Sequence, residues 1–346
     1  IPSGATTTVD GLVDSLSSTL KDSYVILRLL DEDNTVQSVS VDTKSNYVQG
    51  VIKSACGLGV LLEQGIYFDY VCGLSAGASN SVNYLSRDRT RVREAFMTDG
   101  AARGLVGMRS VLRGRGYFDA DSLYEGALRD GTLTFDWETF SANPARLRIQ
   151  AFERDTGKTV RFGREDMTDP MRMIDLVRTS STLPGMMKPL AVDGRVLLDG
   201  GLGAGAGIPV CMAEDDGMER FLFVATRPRG YRKQEPTARE RRMFQAVSRD
   251  YPYLRNALLT RWERYNAAID HVEELAAEGR ALIIYPDEMP VESSTVNPRK
   301  LAAAYDAGHA QYLRELPRVR EFLFGSPDAG PCPSDPDEGT GYITLG

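Results

Sequence analysis

An apolar run, Ile66 to Cys72, passes directly into Gly73-Leu74-Ser75-Ala76-Gly77, and a segment of small residues, Ala76-Gly-Ala-Ser-Asn-Ser-Val82, follows at once. The run reads as a buried strand and the segment after it as the start of a helix. The same alternation recurs along the chain. Tyr24–Leu29, Leu147–Phe152, Phe221–Thr226 and Ala281–Tyr285 read as further buried strands, and Val51–Leu62, Ala76–Leu85 and Ala267–Ala277 as helices. The last helix is expected to stop after Glu278, with Gly279 in the left-handed conformation. Strands alternating with helices predict an α/β fold with a mainly parallel central sheet covered on both faces. Asp155-Thr-Gly157 and Asp193-Gly194 read as hairpin turns that add some antiparallel pairing. No internal repeat is present.

Charge and composition exclude several classes. The 346 residues carry 41 Lys and Arg against 48 Asp and Glu, a net charge of −7, so there is no electrostatic case for nucleic acid. No run of 18 or more apolar residues is free of charges, which excludes a membrane-spanning helix. Two histidines cannot form a three-His metal site, and they leave few candidates for a catalytic base. The four cysteines, at 56, 72, 211 and 332, show no C-x-x-C spacing and read as reduced thiols. Ile1–Thr8 has no basic start followed by an apolar stretch, so a cytoplasmic location is expected, although a leader could have been removed ahead of the non-Met start. The last 22 residues, Gly325–Gly346, hold four Pro and four acidic residues and read as a solvated tail.

The chemistry begins at Ser75. A sharp strand-to-helix turn exposes a serine hydroxyl in strained backbone, and the flanking Gly73 and Gly77 leave room where a Cβ would clash. The helix start behind it aims backbone N–H groups, that of Ala76 first, at the place an oxyanion would form. The alternative is a tight turn whose serine is incidental. A serine nucleophile needs a base, and neither histidine suits. His271 points off the apolar stripe Ile269, Val272 and Ala276, and His309 borders the stripe Leu301, Tyr305, Gly308 and Tyr312, so both read as helix-surface or flanking residues.

A second signal is Leu197-Leu198-Asp199-Gly200-Gly201, where a short strand, Arg195–Leu198, ends in a carboxylate followed by glycines. A carboxylate at a strand end is where a sheet presents chemistry; it is equally where an aspartate caps a turn. The glycine run that follows only loosely mimics a dinucleotide fingerprint, because no acidic residue closes a following strand at the required distance.

The run Leu61-Leu-Glu-Gln-Gly-Ile-Tyr-Phe-Asp-Tyr-Val-Cys-Gly-Leu-Ser-Ala-Gly-Ala resembles bacterial patatin-like phospholipases. So do Arg178-Thr-Ser-Ser-Thr-Leu-Pro184, Asp193-Gly-Arg, Leu198-Asp-Gly-Gly201, Thr226-Arg-Pro-Arg-Gly-Tyr231, Tyr251-Pro-Tyr-Leu, Arg264-Tyr-Asn266 and Tyr305-Asp-Ala-Gly308. The resemblance runs from about Gln49 to Phe324. It implies a three-layer α/β/α fold and a serine–aspartate dyad, with Ser75 the nucleophile and Asp199 the base. It also implies an acyl ester of a lipid (phospholipid, lysophospholipid or glyceride) as substrate, transient contact with a membrane surface, and no metal or organic cofactor. On this reading residues 1–20 are an N-terminal extension, 21–324 one domain, and 325–346 the tail.

One family element is not matched. Counting back from Ser75, the three glycines of an oxyanion loop should fall at Asn46, Tyr47 and Val48, its arginine at Gly50 and its last glycine at Val51. Tyr or Val there strains or changes a backbone that glycine adopts freely. Gly57-Leu-Gly59 is no substitute, since it lies inside the following helix. The mismatch opens a second reading, a catalytically weakened relative that binds lipid or a protein partner. Two clusters stay open. The arginines at 87, 89, 91, 93, 103, 109, 113 and 115 read as a solvated face, with attraction of anionic headgroups as the alternative. Pro184-Gly-Met-Met-Lys-Pro189 reads equally as acyl-groove lining or as core filler.

Overall fold

The computed structural model describes residues 47–94, 119, 120, 122, 135–287 and 298–325. The expected strand Tyr24–Leu29, the N-terminal extension 1–20, the arginines from 103 to 115, Cys332 and the tail beyond Gly325 lie outside the described residues. In chain order the elements are α1 (Tyr47–Glu63), β1 (Tyr70–Leu74), α2 (Ala76–Leu85), α3 (Arg89–Glu94), α4 (Trp137–Ala142), β2 (Arg146–Glu153) and β3 (Thr159–Gly163). There follow α5 (Pro170–Ser180), β4 (Leu190–Val192), β5 (Arg195–Asp199), α6 (Val210–Asp215), β6 (Phe221–Val224) and α7 (Ala238–Val247). The remainder is α8 (Pro252–Leu259), α9 (Arg261–Ala277), β7 (Ala281–Ile284) and α10 (Pro298–Phe324).

The local chemistry explains most boundaries. Asp169 caps α5 by accepting from the N–H groups of Met171 and Arg172, with Pro170 in the first turn. Thr237 and Glu240 cap α7 reciprocally. Gly279 takes φ 75° as expected, and the Arg280 N–H closes on Leu275 O, which ends α9. β1 starts later than the apolar run suggests. Gly65 (φ 63°) ends α1 in the same motif, with the Ile66 N–H on Leu61 O, so the buried Ile66 serves the helix cap and the strand begins at Tyr70.

Five ladders join the described strands. β1 with β2 and β6 with β7 are parallel; β2 with β3, β2 with β5 and β4 with β5 are antiparallel. Both expected hairpin turns are present, with positive φ at Gly157 and at the pair Asp193 and Gly194. The β2–β5 ladder, between strands distant in sequence, is the antiparallel pairing that no turn signal announces.

Alternation along the strands fills two faces. Leu147, Ile149, Ala151 and Leu197 pack in one cluster with residues of α1, α2, α5 and α10. Phe152 and Leu198 face Met243 and Phe244 of α7 and Leu254 and Leu258 of α8. On β7, Leu282 and Ile284 join the first cluster, while Ala281 and Ile283 face Ile269, Val272 and Leu275 of α9. Helices therefore cover the strands from both sides, in three layers. The mid-helix glycines of α1 have a packing role: a Cβ at Gly57 would stand 2.6 Å from the Tyr312 ring, and one at Gly59 would stand 2.7 Å from the Tyr305 hydroxyl.

Candidate active site

The register of β2 brings the two predicted site residues together. β1 pairs with Arg146–Gln150, β3 with Arg148–Phe152 and β5 with Ala151–Glu153. A strand has two edges, and β3 overlaps both other partners, so β1 and β5 must share the opposite edge. β1 runs parallel to β2 and ends at Leu74 opposite Gln150; β5 runs antiparallel and ends at Asp199 opposite Ala151. The two strands thus meet end to end, and Ser75 and Asp199 leave the sheet at the same point.

Ser75 has φ 53° and ψ −125° and stands at the N-cap of α2. A non-glycine residue held at positive φ in a strand-to-helix turn is strained, and such strain gathers at functional sites. Its surroundings enforce the turn. A Cβ at Gly73 would lie 2.3 Å from the carbonyl oxygen of Gly77, so any side chain there breaks the packing. The same argument does not hold at Gly77, where a Cβ meets nothing within 4 Å; that position borders open space. The N–H groups of Ala76 and Gly77 lie in the first turn of α2, where no intrahelical acceptor exists.

Asp199 is 2% exposed. Its Oδ1 accepts the Gly201 N–H at 2.8 Å, while Oδ2 has no closed hydrogen bond among the described residues. Burial pushes the carboxyl above its ordinary value. The Arg261 guanidinium, the neighbouring Ser75 hydroxyl by hydrogen bonding, the Gly201 N–H and Lys233 oppose that rise without cancelling it. The two glycines after Asp199 are explained by close approach. A Cβ at Gly200 would stand 2.2 Å from Gln150 O, and one at Gly201 would stand 2.7 Å from Arg261 Nη2 and 2.9 Å from Asp199 Oδ1.

A cavity of about 300 Å³ opens at these residues, and β1 and β6 line it along their whole length. Ser75, Ala76, Gly77 and Asp199 line it together with Arg227, Arg261, Tyr231 and Tyr265. Its remaining walls are largely apolar, with Leu61, Phe68, Val71, Ile208, Val210 and Phe223 among them.

Residues 50–212 match the family model of patatin-like phospholipases. Those residues belong to the patatin-like phospholipase family. Residues 251–324 match a separate model, a domain of unknown function (DUF6363). Among solved structures the chain is similar to VipD from Legionella pneumophila, at 12% identity and a TM-score of 0.41 over 77% of this chain. It spans 64% of the VipD chain's length. No curated protein matches. No helix among the described residues is long and apolar enough to cross a membrane.

His271 pairs with Glu214 at 2.9 Å and His309 with Glu63 at 2.8 Å, and neither lines the cavity. Met186 is buried and the 184–189 segment does not line the cavity, which favours core filling there. Of the basic stretch, Arg91 departs from the solvated reading: it is buried, with its Nε on Asn83 Oδ1 and its guanidinium over the Phe135 ring. Cys56, Cys72 and Cys211 take part in no disulfide among the described residues. Of the oxyanion-loop positions, Tyr47 and Val48 fall in the first turn of α1 and Asn46 lies outside the described residues.

Sequence reasoning assigned no role to Arg261, Lys233, Arg227, Gln150 or Ser180. Arg261 opens an amphipathic helix, where a charged residue reads as solvated. Only the tertiary approach of α9 to the Gly200–Gly207 region reveals that its Nε donates to Gly201 O at 2.9 Å and to Ala206 O at 3.3 Å.

Proposed function

We propose that this chain hydrolyses acyl esters of lipids through an acyl-enzyme on Ser75, with Asp199 as general base. The observation that carries this reading is the meeting of the Ser75 hydroxyl and the buried Asp199 carboxyl beside Gln150 and Ala151 of β2, in the wall of a largely apolar cavity. In the first half-reaction the Asp199 carboxylate takes the Ser75 proton as Oγ attacks the ester carbonyl. The ester C–O bond breaks, the proton passes to the departing alcohol oxygen, and the acyl group stays on Ser75. In the second, Asp199 takes a proton from water, which attacks the acyl carbonyl; the fatty acid leaves and the proton returns to Ser75.

Burial suits Asp199 to this work, since a carboxylate with a raised pKa is a stronger base. The Ala76 N–H and the N-terminal end of α2 face the oxyanion that forms in each half-reaction. The apolar walls suit an acyl chain, and a lipid substrate brings the mouth of the cavity to a membrane surface.

One observation favours the second reading, a weakened enzyme that binds lipid or a partner. Tyr47 and Val48, in the register of the family's oxyanion glycines, begin a helix. Losing one oxyanion donor costs about 10²–10³ in turnover. Hydrolysis of short-chain p-nitrophenyl esters decides between the two. The enzyme reading predicts turnover that falls to background in both Ser75→Ala and Asp199→Asn; a folded wild type without turnover supports the binding protein.

A further inference from the structure

We propose that the Ser180–Thr182 segment is a clip that sets Ser75 against Asp199, with Ser180 as its positioning residue; this rests on the dyad reading above. β1 and β5 each pair with β2 up to their last residue, Leu74 opposite Gln150 and Asp199 opposite Ala151, but no ladder joins β1 to β5 where they meet end to end. The segment at the end of α5 bonds across that junction. Ser180 Oγ accepts the Ser75 N–H at 2.8 Å and donates to Gln150 O at 2.6 Å. Two residues on, Thr182 O accepts the Asp199 N–H at 2.8 Å.

One short segment therefore grips the backbone of both residues and ties them to the β2 position at which the strand ends meet. Gln150 completes the junction, its Nε2 donating to Gly200 O at 2.8 Å and Ala204 O at 2.9 Å. The clip is rigid, because Ser180 and Thr182 are fully buried and Thr182 Oγ1 donates back to Arg178 O at 2.8 Å. Its hydroxyl has one orientation. With the Ser75 N–H as donor, the Ser180 proton must point at Gln150 O. The bond also engages the amide of Ser75 itself, so the oxyanion's first backbone donor is the N–H of Ala76.

The function of such a clip is geometric. A misplacement of about 1 Å between reacting groups costs on the order of 10² in rate without weakening substrate binding. Removing the Ser180 hydroxyl frees the Ser75 turn to relax from φ 53° and to move away from Asp199. It should also alter the titration of Asp199. Arg261, Lys233, the Gly201 N–H and the Ser75 hydroxyl all hold that carboxyl down against burial, and retreat of Ser75 removes one of them.

The test is the kinetics of Ser180→Ala on a p-nitrophenyl ester from pH 4 to 9, beside Ser180→Thr, Ser75→Ala and Ser248→Ala. Ser248 is an equally buried hydroxyl that donates to Phe244 O elsewhere in the fold. Ser180→Ala is expected to lose about 10- to 100-fold in kcat with KM within about two-fold, and to move the acidic limb of the rate profile to higher pH. Ser180→Thr should restore kcat and the limb, and Ser248→Ala should change neither. If Ser180→Ala does not fold, Ser180→Cys carries the same test with a smaller loss. An inactive Ser75→Ala alongside a Ser180 variant of wild-type kcat and pH profile would overturn the clip and leave the dyad standing. A Ser75→Ala that keeps activity would overturn the dyad itself.

Discussion

Asp199 is held between two opposing demands. Burial disfavours its ionised form, while Arg261, the Ser75 hydroxyl, the Gly201 N–H and Lys233 favour it, and burial prevails. The raised pKa has a definite sign for stability. An Asp whose pKa is higher in the fold than in the unfolded chain favours folding below its ordinary value, about 4, and loses that contribution as pH rises through the raised one. Asn mimics the neutral form. The denaturation midpoint of Asp199→Asn should therefore match that of wild type near pH 4 and exceed it by pH 8, while esterase activity is absent throughout. An Asn variant less stable than wild type at pH 8 would show that the cations around Asp199 depend on its charge more than burial opposes it.

At the scale of elements, the site depends on where strands and helices stop. At Gly73, next to last in β1, an added Cβ would stand 2.3 Å from the Gly77 carbonyl oxygen, a backbone clash that no rotamer change relieves. Gly73→Ala should cost about 1–3 kcal/mol or more by overpacking, seen as a drop in thermal midpoint. Gly77→Ala, with open space around its Cβ, should leave the midpoint near wild type. Equal losses at the two positions would contradict the geometry of the turn.

How much of this is legible in the sequence varies element by element. Helix α2 begins and ends where the small-residue run predicts, since Ser75 and the following residues are local signals. The apolar run places the start of β1 too early, because Ile66 is apolar for a different reason, the cap of α1. The meeting of Ser75 and Asp199 depends on two strands sharing one edge of β2, a non-local fact that each motif points to separately. Arg261 and Ser180 were not legible as site residues. A charged residue on an amphipathic helix and a serine in a Ser-Thr run look ordinary until the chain folds back on them.

Over the whole molecule, the patatin-like residues 50–212 and the 251–324 region share one core. Tyr305 and Tyr312 of α10 stand against Gly59 and Gly57 of α1, and Leu282 and Ile284 of β7 pack into the same cluster as Leu147 and Ile149 of β2. Neither part can bury its apolar face alone. Calorimetry of the full chain should show a single unfolding transition; two separable transitions would mean that the regions fold independently.

The proposed activity stands or falls on Ser75 being a nucleophile activated by the carboxylate that ends β5, the strand meeting β1 end to end on one edge of β2. Intact-protein mass spectrometry after exposure to a fluorophosphonate tests it most directly. The account predicts one adduct per chain, located on Ser75, absent in Ser75→Ala and formed far more slowly in Asp199→Asn. A folded wild type that takes no adduct, or an adduct that survives Ser75→Ala, would contradict it.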